Sequence, residues 1–97
     1  MKYLLVIPPS VETVVAHLSP EIKRRLRNAL EAIQEDPHLG KPLREELSGF
    51  RSFRVNRYRI VYRIHHGKIE IQVIDIALRS VIYEHVLNWL RHQQGEK

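Results

Sequence analysis

The sequence has no cysteine in its 97 residues, which excludes a disulfide framework and a metal site built on thiolates. It has no transmembrane-length apolar run, and the run at 3–7 is closed by two prolines and is too short for a signal peptide. Acidic residues are in deficit, with 11 Asp and Glu against 16 Lys and Arg. We therefore expect one cytoplasmic domain, residues 1–97, that avoids membranes and meets an acidic partner such as nucleic acid.

The excess positive charge is concentrated in one part of the chain. Residues 41–63 contain seven basic residues and only two acidic ones. Five arginines fall within 47–63, namely Arg51, Arg54, Arg57, Arg59 and Arg63. A strand that alternates arginine with apolar residues gives a sheet with one buried face and one cationic face. Because guanidinium matches phosphate oxygens and stays charged at cellular pH, this segment predicts a phosphate-binding surface.

The predicted element order is β-α-α-β-β-β-α. Residues 2–7 predict a strand and 10–18 a short helix, and a Ser-Pro pair with good capping chemistry starts a second helix. Three strands follow a loop at 36–49, and 81–92 predict a terminal helix. We expect an α+β fold in which an N-terminal helical hairpin and the C-terminal helix pack on one side of a small, mostly antiparallel sheet. The other side would stay open.

Strict alternation predicts the register of the arginine-rich strands. The positions expected to face the core are Phe53, Val55, Tyr58, Ile60, Tyr62 and Ile64. Ser52, Arg54 and Arg59 are expected to point outward. A hairpin turn is predicted at 66–68, with Gly67 free to adopt positive φ.

Three cations and a phenol are predicted to converge at one end of this sheet. Arg54 and Arg59 share the open face, Arg79 follows the last strand, and Tyr83 lies about one helical turn further on. Such a group can hold a scissile phosphate and offset transition-state charge. RNA supplies its own nucleophile, the 2′-OH, so neither a metal nor a serine or cysteine is needed. Because arginine is a poor general acid, positioning and electrostatics would carry the reaction.

A structural interpretation of the same residues stays open. An arginine on a strand face is often a solvated or edge-protecting charge, and a tyrosine such as Tyr83 is often core with its hydroxyl at the rim. Asp75 could simply pair with an arginine such as Arg59 or Arg79. The six histidines show no metal-ligand pairing at i, i+4, so we expect neither a metal nor a cofactor.

Two segments resemble a known family. LSGFRSFRVNRYRIVYRI, followed after a hairpin by IEIQVIDIALRSVIYEHVL, is similar to the RelE/ParE superfamily of toxin–antitoxin toxins, and most similar to its RelE side. The resemblance implies a RelE-like fold and an mRNA interferase, an endoribonuclease that cuts translated mRNA in the ribosomal A site and is inhibited by a cognate antitoxin. It also implies that Arg59 and Arg79 are catalytic, that Tyr83 contacts or orients the substrate, and that Arg54 is the basic residue of the neighbouring strand.

The chain departs from the family pattern at three places. Ser52 stands where RelE proteins often have a lysine, Asn56 stands at an expected glycine, and residues 76–78 lack the usual glycine and basic residue. ParE-type members share the fold, usually lack the full catalytic set and inhibit DNA gyrase. The alternatives are therefore a gyrase inhibitor and a catalytically inactive, antitoxin-binding member of the superfamily.

Two binding surfaces complete the expectations. The RNA-binding residues are expected to be Arg51, Arg54 and Arg57. An extended, acidic and partly disordered antitoxin is the simplest inhibitor of a cationic toxin. Its helix is expected in an apolar groove near the terminal helix, formed by Ile82, Val86, Trp89 and Leu90. The alternative is that these four residues are ordinary core.

Overall fold

The computed structural model describes residues 2–95, in which five strands and three α-helices follow one another in the order β1-α1-α2-β2-β3-β4-β5-α3. The strands are β1 (Leu4–Val6), β2 (Lys41–Pro42), β3 (Arg51–Val55), β4 (Tyr58–His65) and β5 (Glu70–Leu78). The helices are α1 (Pro9–Ala16), α2 (Pro20–Glu35) and α3 (Arg79–Gly95). The α+β prediction is confirmed; the addition is β2, a two-residue strand within the predicted loop. Within residues 2–95, no helix is long and apolar enough to cross a membrane.

The five strands form one sheet in the order β1-β5-β4-β3-β2. The edge strand β1 runs parallel to β5, and the other neighbouring strands pair antiparallel, as the mostly antiparallel prediction requires. The parallel pair is possible because both helices of the hairpin lie between β1 and the rest of the sheet along the chain.

One face of the sheet, the hairpin face, is covered by α1 and α2. The hydroxyl of Ser19 accepts a hydrogen bond from the backbone N–H of Ile22 at 3.3 Å, and Pro20 takes the first helical position, as predicted. The side chains expected to point inward from β3 and β4 all belong to this core or pack against it. Its buried members are Val11, Leu26, Ala29, Ile33, Val55, Ile60, Tyr62, Ile71, Val73 and Ile76.

The opposite face, the α3 face, is partly covered by α3, so the expectation that all helices pack on one side is wrong. A second cluster of buried side chains lies between α3 and the sheet. It consists of Leu47, Phe50, Val61, Ile74, Ile82 and Val86. Val61 interrupts the arginines of β4 and gives α3 an apolar contact. The arginine-bearing face is therefore open only where α3 does not reach.

A β-bulge in β5 contributes to the apolar surface on which α3 packs. Val61 pairs with Asp75 and Tyr62 pairs with Val73, so Ile74 is an extra residue in β5. Ile74 joins the cluster under α3, while Val73 and Ile76 stay on the hairpin face. Single-sequence alternation does not reveal such an insertion, because the bulge is defined by pairing with another strand.

Tyr62 fixes the segment that follows α2. Its buried hydroxyl donates to the carbonyl of Pro37 at 2.6 Å and accepts from the N–H of Gly40 at 2.9 Å. Gly40 lies so close to the ring that a Cβ there would come within 2.8 Å of Cε1 of Tyr62. Desolvation raises the pKa of Tyr62, opposed by the hydrogen bond from Gly40.

Two hairpin turns depend on left-handed backbone at residues other than glycine. Asn56 has φ 57° between β3 and β4, which explains how this chain tolerates asparagine where the family pattern expects glycine. Between β4 and β5 the left-handed residue is Ile69, with φ 52°, and not Gly67 as predicted. A β-branched residue in this conformation is strained.

Candidate active site

An open cleft of about 550 Å³ lies where the turn between β3 and β4 meets the first residues of α3. Its lining consists of Arg54, Asn56, Arg57, Arg59, Leu78, Arg79 and Ser80. Arg54 and Arg59 are directly opposite each other in the register of β3 and β4, so their side chains leave the sheet on the same side. The predicted orientation of both residues is confirmed.

The backbone ties the two halves of this cleft together. The N–H of Arg79 donates to the carbonyl of Arg57 at 3.0 Å, which joins the start of α3 to the turn between β3 and β4. Arg59 also lies opposite Ala77 of β5, two residues before Arg79. The arginines of three different elements are therefore held at one place.

The cleft is strongly cationic. Within residues 2–95, no carboxylate forms an ion pair with any of the four guanidinium groups. Arg54 donates through Nε to the carbonyl of Asn56 at 3.3 Å, while Arg59 is partly buried and the other three arginines are exposed. The positive end of the α3 dipole adds to the same field. Such a cleft favours a phosphate or another anion that can satisfy several guanidinium groups at once.

Tyr83 is not among the described residues that line the cleft. It is one helical turn beyond Arg79, is partly buried, and packs against the cluster under α3. Its hydroxyl oxygen is 3.3 Å from Oγ of Ser52. Ser52 is on the same side of β3 as Arg54, as predicted, but α3 covers it and leaves it 4% exposed.

The structure does not bring Arg51 to the cleft. Arg51 pairs with Tyr62 across β3 and β4, which places its side chain on the hairpin face. Its Nη1 donates to the carbonyls of Gly40 at 2.6 Å and of His38 at 3.4 Å. The signal was present in the sequence, because Arg51 is in phase with the inward-facing Phe53.

Arg63 is also occupied elsewhere. Its Nε donates to Oε1 of Gln72 at 2.8 Å. Its guanidinium carbon lies 5.6 Å from the ring centre of Phe50 and 5.5 Å from that of Trp89. Gln72 is the neighbour of Arg63 across β4 and β5, whereas Trp89 comes from α3, so no pattern within one segment could have identified the contact with Trp89.

The predicted antitoxin groove is not exposed on α3. Ile82 and Val86 are fully buried in the cluster under the helix, and this corrects the expectation that they line an accessible groove. Trp89 and Leu90 are partly buried, and Trp89 meets Phe50 edge-on at 6.1 Å. Ile82 and Val86 are therefore ordinary core residues, which was the alternative interpretation.

Within residues 2–95, Asp75 does not pair with an arginine. One carboxylate oxygen accepts from the N–H of Ile76 at 2.9 Å, and the other is 2.9 Å from Nδ1 of His85. This contact links β5 to α3 beside the bulge. Among the residues that the structure describes, no three histidine or acidic side chains are grouped as a metal site would require.

These features define a class, that of a small α+β protein with an arginine-lined cleft suited to phosphate. The sequence profile of one family, the ParE toxin of the type II toxin–antitoxin system parDE, matches residues 11–83. That is most of the chain, and the protein belongs to this family. The predicted membership of the RelE/ParE superfamily is thereby confirmed.

Individual relatives agree with this assignment. Toxin RelE of Mycobacterium tuberculosis is 49% identical over 49 residues, 50% of each chain, so the match spans about half the length of this curated relative. The toxin–antitoxin complex RelBE2 of the same organism contains a chain that superposes with a TM-score of 0.72 at 27% identity, covering 81% of this chain and 100% of that one. A mutant of the Escherichia coli toxin RelE in the free state gives 0.71 at 19% identity, covering 91% and 98%, and this likeness shows the fold alone.

Proposed function

We propose that this toxin is a ribosome-dependent endoribonuclease that cuts translated mRNA in the A site, acting in the cytoplasm. The observation that carries the proposal is the cleft in which Arg54, Arg59 and Arg79 converge without a carboxylate partner among the described residues. The named relative, Toxin RelE, supports the RelE side of the superfamily over the matched half of the chain.

In the proposed reaction, the 2′-oxygen of a nucleotide attacks the adjacent phosphorus. A bond forms between that oxygen and phosphorus while the bond to the 5′-oxygen breaks, leaving a 2′,3′-cyclic phosphate. The 2′-OH proton goes to water, and the departing 5′-oxygen takes up a proton from water. Arg54 and Arg59 hold the nonbridging oxygens of the phosphate, and Arg79 offsets the negative charge that develops on them. Tyr83 orients the substrate. No step requires a metal, so chelation that spares ribosomal Mg²⁺ should not stop the chemistry.

The test is primer extension on an mRNA translated by purified ribosomes in the presence of the protein. New 5′ ends within codons are expected with the unmodified protein and should disappear with Arg59→Ala or Arg79→Ala. Arg24→Ala is a matched control, because Arg24 is an exposed arginine on α2, on the opposite side of the sheet. Full cleavage by a variant carrying both cleft substitutions would contradict the proposal.

Gyrase inhibition is the second candidate, and the family profile favours it because that profile is described as the ParE toxin. In this case the mRNA would remain intact, and a plasmid incubated with gyrase and the protein would become linearised. An intact mRNA and an unaffected plasmid, with antitoxin still bound, would instead indicate a catalytically inactive member of the superfamily.

We further propose that a cognate antitoxin binds this chain. The similar Mycobacterium tuberculosis and Escherichia coli proteins include toxins solved as toxin–antitoxin complexes, and this chain carries a net charge of +5 that an acidic partner would complement. Of the residues expected to contact it, Trp89 and Leu90 offer partly accessible surface. Leu90→Ser should weaken antitoxin affinity more than it lowers the free energy of unfolding. Equal losses would place the contact elsewhere, most simply across the arginine cleft.

A further inference from the structure

We infer that Ser52 is a positioning residue that fixes the direction of the Tyr83 hydroxyl relative to the arginine cleft. The inference rests on the function proposed above, because it assigns Tyr83 an orientation that matters only if RNA is cleaved there. The position of Ser52 departs from the family pattern, which often has lysine there, so its role in this chain does not follow from the resemblance.

The burial of Ser52 is the first observation. Apart from Tyr62, whose buried hydroxyl has two partners, it is the one buried residue with a polar side chain in the described part of the protein, at 4% exposure. It lies opposite Val61, a member of the apolar cluster under α3. A hydroxyl buried in such a place is unfavourable unless it has a hydrogen-bond partner. Within residues 2–95, the partner of its side chain is the hydroxyl of Tyr83.

The position of this contact relative to the cleft is the second observation. Ser52 and Arg54 are two residues apart on the same side of β3, which separates their Cα atoms by roughly 7 Å. Arg54 in turn faces Arg59 across the strand pair. The hydrogen bond therefore anchors the end of the Tyr83 side chain to a residue two positions from Arg54 on β3, although Tyr83 belongs to α3 and neither Ser52 nor Tyr83 is among the described residues that line the cleft.

The hydrogen bond to Ser52 determines which hydrogen-bonding direction of the Tyr83 hydroxyl stays available to a substrate. A phenol has one proton to donate and can also accept, and a serine hydroxyl has the same capacity. When Ser52 donates to Tyr83, the phenolic proton remains available to a phosphate oxygen or to the departing 5′-oxygen. When Ser52 accepts, the phenolic oxygen remains available to the 2′-OH. In both arrangements one bonding direction is occupied by Ser52 and the other is left for the substrate.

Kinetic coupling between the two residues tests the inference. Ser52→Ala, Tyr83→Phe and the double variant are compared in single-turnover cleavage of ribosome-bound mRNA at saturating toxin. Ser52→Ala is expected to lower the rate about 10-fold with little change in apparent affinity, within the range that misplacement of a reacting group produces. In the Tyr83→Phe background the same substitution should change the rate less than about twofold, because the hydroxyl it positions is gone. Ser52→Thr, which keeps the hydroxyl, should recover most of the rate.

A purely structural role for Ser52 makes different predictions. Its loss would lower the unfolding temperature and reduce the rate by the same factor in both backgrounds. Independent, multiplicative effects of the two substitutions would therefore overturn the inference. So would full cleavage by Ser52→Ala under conditions where Arg59→Ala is inactive, and that result would leave the proposed function standing.

A measurement without RNA separates the two proposals. The ¹³Cζ resonance of Tyr83, assigned by its absence in Tyr83→Phe, should shift in Ser52→Ala and stay in place in the control Arg24→Ala. An unshifted resonance in Ser52→Ala would overturn the hydrogen bond on which the inference depends. Absence of cleavage by the unmodified protein in the primer-extension assay would instead overturn the proposed function.

Discussion

The arginines of one sheet divide into two groups according to what their side chains contact. Arg51 and Arg63 are bound by backbone carbonyls, by Gln72 and by two aromatic rings. Arg54 and Arg59, on the same two strands, face a cleft without a carboxylate partner among the described residues. The number of arginines in a segment therefore does not define a site. What defines it is which guanidinium groups the fold leaves available to an anion.

The largest expected effect is the loss of cleavage when an available arginine is removed. Arg59→Ala and Arg79→Ala should each slow mRNA cleavage by about 10²-fold or more, as is typical when a preorganised charge donor is lost. Thermal unfolding should change little, because neither side chain holds other described groups in an ion pair. Rates from single-turnover cleavage and unfolding temperatures of the same preparations check both statements. A strong loss of stability would mean that these residues, like Arg51 and Arg63, are held by contacts within the protein.

On the hairpin face of the sheet, Tyr62→Phe should be the most destabilising of these changes. It removes the hydroxyl that serves Pro37 and Gly40 and leaves a buried carbonyl and N–H unpaired, at a cost of about 1–3 kcal/mol in the free energy of unfolding. Urea denaturation measures it. Gly40→Ala is a companion variant, since its Cβ would collide with the same ring and force a comparable loss.

The ionisation of Tyr62 adds a pH dependence to this prediction. Burial raises its pKa in the folded state above the ordinary value of 10.0, so the folded protein keeps the proton when the unfolded chain has lost it. The resulting stability is fully present below about pH 10 and declines as the pH rises toward the folded-state pKa. The decline should be shallower in Tyr62→Phe. Equal slopes in both proteins would argue against a proton held by burial.

Arg63→Ala should show the reverse of the pattern expected for Arg59→Ala. The loss of the cation–π contacts with Phe50 and Trp89 and of the bond to Gln72 should lower the free energy of unfolding by about 1–2 kcal/mol. Cleavage by the folded fraction should remain within about twofold of the unmodified rate. If Arg63→Ala abolished cleavage at a temperature where it is folded, the division between the two groups of arginines would fail.

The smallest expected effect is a gain in stability at a turn. Ile69→Asn should raise the free energy of unfolding by about 0.5–1 kcal/mol, because asparagine tolerates the left-handed backbone that strains a β-branched residue. Ile69 is 40% exposed, so little apolar contact is lost. Lys68→Asn, at the neighbouring exposed position, is the control and should give no gain. Cleavage should be unaffected, since the turn lies outside the cleft lining.

Much of the fold followed from local rules. Alternation in β3 and β4 placed Arg54 and Arg59 on one face, and the Ser19-Pro20 pair located the start of α2. The convergence of Arg79 with these arginines could be inferred because it directly follows the last strand. How the available charges act on a substrate is a separate question, and the catalytic roles remain predictions.

What local rules missed depends on contacts between distant segments. The side of the sheet on which α3 packs was wrongly predicted because Ile74 joins Val61 beneath the helix only through the bulge. The contacts of Arg63 with Trp89 and of Ser52 with Tyr83 join residues that are far apart in sequence. No single-segment pattern encodes such pairs.

The bulge at Ile74 allows the cluster under α3 to change independently of the core on the hairpin face. When Ile74 is skipped, the remaining residues of β5 alternate regularly, with Ile71, Val73 and Ile76 on the hairpin face. A one-residue deletion there would leave the hairpin core in phase and remove a side chain from beneath α3. The helix that carries Arg79 and Tyr83 would lose part of its support while the rest of the fold kept its own. Insertion or deletion of this one residue could therefore change the position of Arg79 and Tyr83 while the hairpin core stays the same.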